Sequence, residues 1–292
     1  MKNNILHKYL PLLPAAAVVT AITMLAALLS GCGGASADLP DLSSMGELVV
    51  VSREEGSGTR AEFENLTGTS ALGTDMLASS TDEMIEAVAS DVDAIGYIAY
   101  SSAAGSDEVK VITVGGVEAS STTISNDKYP LCRNYYLAYQ DGLTDVATDF
   151  LRYVETAGQD IVAESCIRVH DSSTFLSDKS SGTITIVGSS SLAPIMEELA
   201  AAYMENENPN AVISVETTDS SDGLTAAIKG ECDFAMSSRE LESYEDELLE
   251  KSAIGRDAIS IIVNAENPVT DLTVKMIKGI YDKTWESWAE IG

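Results

Sequence analysis

Four short turns in this 292-residue chain bring hydroxyl side chains, three times with glycine nearby, to points where an apolar run gives way to a helical one. The first, Arg53-Glu-Glu-Gly-Ser-Gly-Thr59, follows Leu48-Val-Val-Val-Ser52. The second, Ser189-Ser190-Ser191, ends the run Thr183–Gly188 and precedes Leu192-Ala-Pro194. Ser220-Ser221 stands before Gly223 and a helical stretch, and Ser237-Ser238 follows Phe234-Ala-Met236. Such turns suit an oxyanion. Gly56 and Gly58 let backbone N–H groups approach closely, Ser57 and Thr59 add hydroxyls, and a helix N-terminus favours negative charge. Arg53 offers a bidentate fork. Each turn taken singly has an ordinary reading as a helix start, a loop or a solvated ion pair. Four of them, all at strand-to-helix junctions, point to one site, because open α/β sheets bind ligands along that edge.

The elements that must position these turns alternate between strand and helix. Glu47–Val51, Ala94–Ala99, Val109–Val114, Thr183–Val187, Ala211–Val215 and Ala258–Val263 are short apolar, β-branched runs of the kind buried strands show. Leu143, Val146, Phe150 and Val154 share one helical face, as do Ile195, Leu199 and Tyr203. Ser80 with Glu83 makes a capping box ahead of Met84, Ile85 and Val88. Strands separated by helices predict parallel α/β sheets.

The bulk composition narrows the function. With 17 basic and 46 acidic residues the formal charge is −29, a surface that repels nucleic acid. An anion site on it must rely on local dipoles. The two histidines, His7 and His170, leave no material for a histidine metal site or a Ser-His-Asp triad. Glu55-Gly-Ser-Gly-Thr lacks the G-x-S-x-G elbow and no Walker motif occurs, so neither an enzyme nor a bound cofactor or metal is expected. Cys132, Cys166 and Cys232 lack CxxC spacing and read as buried free thiols.

The N-terminus reads as a targeting segment over residues 1–31. Lys2 and Lys8 precede an apolar stretch from Leu10 to Leu29, and Leu29-Ser-Gly-Cys32 matches a bacterial lipobox. Cleavage before Cys32 and acylation of its thiol would tether the body to the outer face of the cell membrane. An uncleaved transmembrane anchor is the alternative reading. Residues 32–45 read as a flexible tether, and the serine-rich, aperiodic stretch 171–183 as an internal linker.

The chain resembles the phosphate-binding proteins of ABC phosphate transporters over about residues 46–292. The resemblance rests on the Arg53–Thr59 and Ser189–Ser191 loops, on Asp93-Ala-Ile-Gly-Tyr-Ile98, Asp233-Phe-Ala-Met-Ser-Ser-Arg-Glu-Leu241, Ile261-Ile-Val-Asn-Ala-Glu-Asn-Pro268 and Trp285–Gly292. It implies a two-lobed fold of the type II periplasmic-binding-protein class. The Ser189 loop precedes the Arg53 loop in that family, so the resemblance also implies a circular permutation whose joint is the 171–183 linker. One lobe would then combine 46–106 with 263–292, and the other would span 107–262. The same resemblance implies an inorganic phosphate ligand held by Arg53, Ser57, Gly58, Thr59, Ser190, Ser191, Ser220 and Ser238, and an ABC permease as partner.

Two departures matter. The normally glycine-rich loop here reads Thr217-Thr-Asp-Ser-Ser-Asp-Gly223, so Asp219 and Asp222 either point at the anion or cap the following helix. Where some members carry an aspartate that accepts the phosphate proton, this chain has Ser238, which leaves sulfate open as a ligand. A surface sensor or scaffold with the same fold is a further alternative.

Overall fold

The computed structural model describes residues 39–70, 73–103 and 108–291. Cys32 and the expected leader lie outside the described residues. Among the described residues no helix is long and apolar enough to cross a membrane.

Ten strands form one curled sheet in which β1 (Val49–Arg53), β2 (Met76–Ala78) and β3 (Ala94–Ala99) stand on one side. Helix α1 (Gly58–Thr67) follows β1 and α2 (Thr81–Ala89) follows β2. A short helix α3 (Tyr100–Ala103), β4 (Val109–Val114) and α4 (Ser121–Ser125) lead to β5 (Cys132–Tyr139), which crosses to the other side. There α5 (Asp145–Val154), α6 (Gln159–Ser165), β6 (Gly182–Ser189), α7 (Ala193–Ala202), β7 (Ala211–Thr218), α8 (Ser220–Lys229), β8 (Phe234–Ser237) and α9 (Ser243–Asp246) build the second lobe. The 15-residue β9 (Glu250–Asn264) returns, followed by β10 (Asp271–Leu272) and α10 (Val274–Tyr281).

The strand order β2-β1-β3-β9-β5-β8-β6-β7 explains the two-lobed shape. The early half of β9 pairs antiparallel with β5, and its later half pairs with β3 and β4. The sheets are therefore mixed, where parallel ones were expected. β1 with β2 and β3, and β6 with β7 and β8, are parallel as predicted. β9 pairs antiparallel with β3, β4 and β5, and two of the segments involved, Cys132–Tyr139 and the early part of β9 up to Asp257, have a weak strand signal because charged residues interrupt them.

Each lobe has its own core. Val50, Phe63, Tyr97, Ile261, Ile277 and Trp288 belong to the first, where Phe63 stacks on Tyr97 with ring centroids 4.0 Å apart. Phe150, Ile186, Met196, Leu199, Tyr203 and Phe234 belong to the second. Ile112, Val114, Ile124, Tyr129 and Leu131 pack in the first core, as do Ala258, Ile259 and Ile261. The cores thus divide near 131 and 257, not at 106 and 262. The cause is β4, which pairs with Ile261–Asn264 of β9 and with β10 and carries α4 along.

Within the described part of the expected tether, residues 39–45, Leu42 is 2% exposed and sits in the first core. The 171–183 stretch is irregular up to Ser181 but pinned. Ser177 Oγ and the Asp178 N–H donate to the buried Asp149 carboxylate at 2.6 and 3.2 Å, and Phe175 packs against Tyr153 and Tyr203. Of the helical faces read from sequence, Val146, Phe150 and Val154 of α5 and Ile195 and Leu199 of α7 are buried, as is Tyr203 just past α7, whereas Leu143 precedes α5 and is half-buried. The capping box is shifted by one residue: Ser80 Oγ accepts from the Glu83 N–H, but the Glu83 carboxylate takes the Ser79 N–H.

Candidate functional site

The four hydroxyl turns meet where the lobes face each other. β1 ends at Arg53, whose side chain lies along the sheet edge and is 2% exposed. Its guanidinium pairs bidentately with Glu54, at 2.7 Å for both bonds, and its Nη2 reaches across the cleft to Ser190 Oγ at 3.2 Å. Nε also donates to the Ala78 carbonyl at 3.3 Å. The Arg53 fork is thus partly taken by its neighbour, which the sequence did not foretell.

Ser57 caps α1, its Oγ accepting from the Arg60 N–H at 3.3 Å. Two residues further, Thr59 Oγ1 lies 2.9 Å from Ser191 Oγ of the opposite lobe. Gly58 lies against the opposite lobe. A Cβ there would fall on Ser220 Oγ and stand 2.7 Å from Ser238 Oγ. Only a residue without a side chain allows this contact.

On the second lobe the hydroxyls hold one another. Ser189 Oγ donates to Ser238 Oγ at 3.0 Å, and the Ser238 N–H donates to Ser220 Oγ at 3.1 Å. Ser220 and Ser238 are fully buried, Ser191 is 3% exposed and Ser190 is half-buried. Asp219 caps α8 by accepting the Asp222 N–H at 2.8 Å. Its carboxylate packs against Gly56, whose φ of 97° suits glycine. A cleft of about 420 Å³ bordered by Ser80, Ser101, Ser190 and Ser191 runs alongside the cluster. All eight residues singled out from sequence therefore lie in one region between the lobes. Among the described residues no group of histidine, cysteine and acidic side chains is placed to hold a metal.

Two arginines escaped the sequence reading. Arg133, at the start of β5, is buried and donates from Nη1 to Thr59 Oγ1 at 2.7 Å and to the Ser238 carbonyl at 3.3 Å. Its Nε and Nη2 bind Asp257 Oδ2 at 3.1 and 3.0 Å, and the Tyr135 hydroxyl donates to the same oxygen at 2.7 Å. Burial alone would lower the Arg133 pKa, but the Tyr135 and Asp257 oxygens outweigh it and the pKa is raised. Arg239, next to Ser238, pairs bidentately with the buried Glu245 at 2.7 and 2.9 Å and donates to Ser221 Oγ. The available signal was a charged residue embedded in an aromatic or apolar run, as Arg133 is before Asn-Tyr-Tyr-Leu and Asp257 is before Ala-Ile-Ser-Ile.

The three described cysteines are free thiols, as expected, and burial raises all three pKa values, that of Cys232 to about 11.

Two lobes joined by two crossing strands, with hydroxyls and cations gathered at the facing sheet edges, define a bilobal binding protein. The sequence pattern described as the PBP superfamily domain matches residues 27–156 and 173–292. The phosphate-binding protein PstS 2 of Streptococcus pneumoniae is 32% identical over 276 residues, covering 90% of this chain and 94% of that protein. The PstS protein of Bacillus subtilis is 30% identical over 118 residues, 39% of each chain. A crystal structure of a phosphate ABC transporter phosphate-binding protein from S. pneumoniae matches with a TM-score of 0.68 at 31% identity, over 85% of this chain and all of that one. The chain belongs to the PBP superfamily and, within it, to the PstS family of phosphate-binding proteins.

Proposed function

We propose that this protein captures inorganic phosphate outside the cytoplasmic membrane and delivers it to the permease of an ABC importer. The observation that carries the reading is the convergence of Arg53, Gly58 and Thr59 from one lobe on Ser190, Ser191, Ser220 and Ser238 from the other. Ser57, as the α1 cap, completes the set. Three carboxylates near these donors are engaged, Glu54 by Arg53, Asp257 by Arg133 and Asp219 as the α8 cap, while Asp82 and Glu197 border the neighbouring cleft. Oxyanions bind to such donor-rich, water-poor sites. The lipobox at Cys32 supports anchoring of the body to the membrane by lipid.

We also read the segment order as a circular permutation of the family arrangement. The family pattern matches this chain in two pieces, residues 27–156 and 173–292, and the second begins within the 171–183 stretch read as the joint.

Ser238 favours one second reading, a receptor that takes sulfate as well, since a hydroxyl does not require a proton on the ligand. Titration calorimetry with phosphate and then sulfate at one pH separates the two. Tight phosphate binding with silent sulfate supports phosphate capture, and equal binding of both supports a general tetrahedral-anion receptor. Binding of neither removes both readings. In Arg53→Ala, phosphate binding weakens by about 10²-fold or more while the fold is kept, because a buried charge-assisted contact is worth about 1.5–3 kcal/mol or more. Wild-type affinity in that variant would remove Arg53 from the site.

A further inference from the structure

The Arg133 side chain occupies a place that neither the four hydroxyl turns nor the cleft accounts for. It stands at the first crossing between the lobes, on β5, directly opposite Asp257 on β9, the second crossing. Its side chain is 1% exposed and that of Asp257 is 0%. Asp257 is saturated: Oδ2 accepts Arg133 Nε, Arg133 Nη2 and the Tyr135 hydroxyl, and Oδ1 accepts the Ser101 N–H at 2.9 Å. The pair is thus anchored to the crossing strands without help from either anion loop. What remains is Nη1, and its two acceptors come one from each lobe. Thr59 Oγ1 belongs to α1 of the first lobe and the Ser238 carbonyl to the end of β8 in the second.

We propose that Arg133 is a positioning residue that couples lobe closure to anion binding: its Nη1 bridges Thr59 and Ser238 only when the lobes meet. The inference rests on the proposed phosphate site. Asp257 fixes the guanidinium to the hinge, so Nη1 offers its protons at a constant place. Separation of the lobes withdraws Thr59 or Ser238 from it. Acceptance of the Nη1 proton by Thr59 Oγ1 also commits that hydroxyl. Its own hydrogen then turns outward, to Ser191 Oγ or to a ligand oxygen, and Thr59 becomes a donor to an anion. The buried positive charge lies one hydroxyl behind the ligand and needs no contact with it. A bidentate fork suits this task, since one face holds the carboxylate while the other bridges; a lysine ammonium has neither the reach nor the planarity to do both.

The test uses the Arg133→Met/Asp257→Asn double variant, which removes both charges together and so leaves no unpaired ion in the interior. Arg133→Lys is the companion that keeps the charge. Phosphate affinity, binding stoichiometry, dissociation rate and the decrease in radius of gyration on phosphate addition are measured beside the melting temperature. The expected result is a phosphate affinity about 10- to 100-fold weaker in both variants, full stoichiometry, the loss residing in faster dissociation, and a smaller compaction. A purely structural role would lower the melting temperature and the active fraction while the folded molecules bind as wild type does; that result overturns the proposal. Side-chain nitrogen NMR of the wild type gives a reading that no variant's folding can spoil. Restricted rotation about the Arg133 guanidinium that strengthens on phosphate addition supports the coupling, and resonances indifferent to phosphate refute it. Absence of phosphate binding by the wild type would instead defeat the proposed function itself.

Discussion

Gly58 shows most directly how one position sets the closed geometry. The Cα stands where α1 begins, and the missing side chain leaves room for Ser220 Oγ and Ser238 Oγ. Gly58→Ala places a methyl group in that space. The change is compatible with the helix, for alanine at a helical position is favoured over glycine by about 0.5–1 kcal/mol. The open protein therefore keeps or slightly raises its melting temperature. Closure instead meets an overlap of the kind that costs about 1–3 kcal/mol in a packed interior. The predicted outcome is a variant whose unliganded melting curve is unchanged but whose stabilisation by added phosphate is largely lost. Thermal shift measurements with and without phosphate decide it. An undiminished shift would mean that the lobes do not approach at Gly58 in the bound state. The sequence marked Gly58 as a place for backbone approach to a ligand; the structure adds that another lobe's hydroxyls fill the space.

At the level of elements, caps and turns were legible and crossings were not. Ser80 and Asp219 each cap the helix that the sequence pattern assigned to them, since short polar side chains ahead of an apolar periodicity have one good local use, while Ser57, read as a ligand hydroxyl, caps α1 as well. β5 and the early half of β9 were missed because Arg133, Asn134, Arg256 and Asp257 break the apolar pattern. Arg133 and Asp257 satisfy each other only across strands, and Arg256 pairs with Asp127 ahead of β5, which no local window displays. The same holds for Arg239 and Glu245, six residues apart yet joined in a buried pair beside Ser238. Burial raises the Glu245 pKa, but the Arg239 guanidinium and the Glu242 N–H lower it further, and the net value falls below the ordinary 4.5. A carboxylate with a depressed folded pKa contributes stability that is present above its unfolded pKa and lost as pH falls through the folded one. Glu245→Gln is therefore destabilised relative to wild type near neutrality, and the gap closes as pH drops below 4.5. Melting temperatures of the two proteins between pH 7 and pH 3 test this. A gap that stays constant with pH would show that the pair's charge is irrelevant and its shape alone matters.

At the scale of the molecule, segments far apart in the chain close the first lobe. Glu47 bridges Ser287, and the Trp288 N–H donates to the Gly46 carbonyl at 3.2 Å, so the two extremities of the first lobe lie side by side. The 171–181 stretch runs over the second lobe, with Ser173 and Thr174 exposed and the anchoring residues Phe175 and Ser177 just beyond. A chain re-cut between Ser173 and Thr174, with residue 291 joined to residue 39, keeps Leu42 in the first core and every strand pairing in place. About ten Gly/Ser residues, with a root-mean-square span of roughly 17 Å, make a suitable joint. Surface cuts in irregular segments are the ones folded proteins tolerate. The predicted protein has the segment order of the family arrangement, melts within a few degrees of the original, and binds phosphate with the same affinity. Circular dichroism melting and titration calorimetry on the re-cut chain measure both. Retained folding with lost binding would show that the 171–181 stretch acts on the site from behind the second lobe. Loss of folding would show that this stretch is a structural clasp whose continuity the second lobe requires, and the permutation reading would then lack its physical basis.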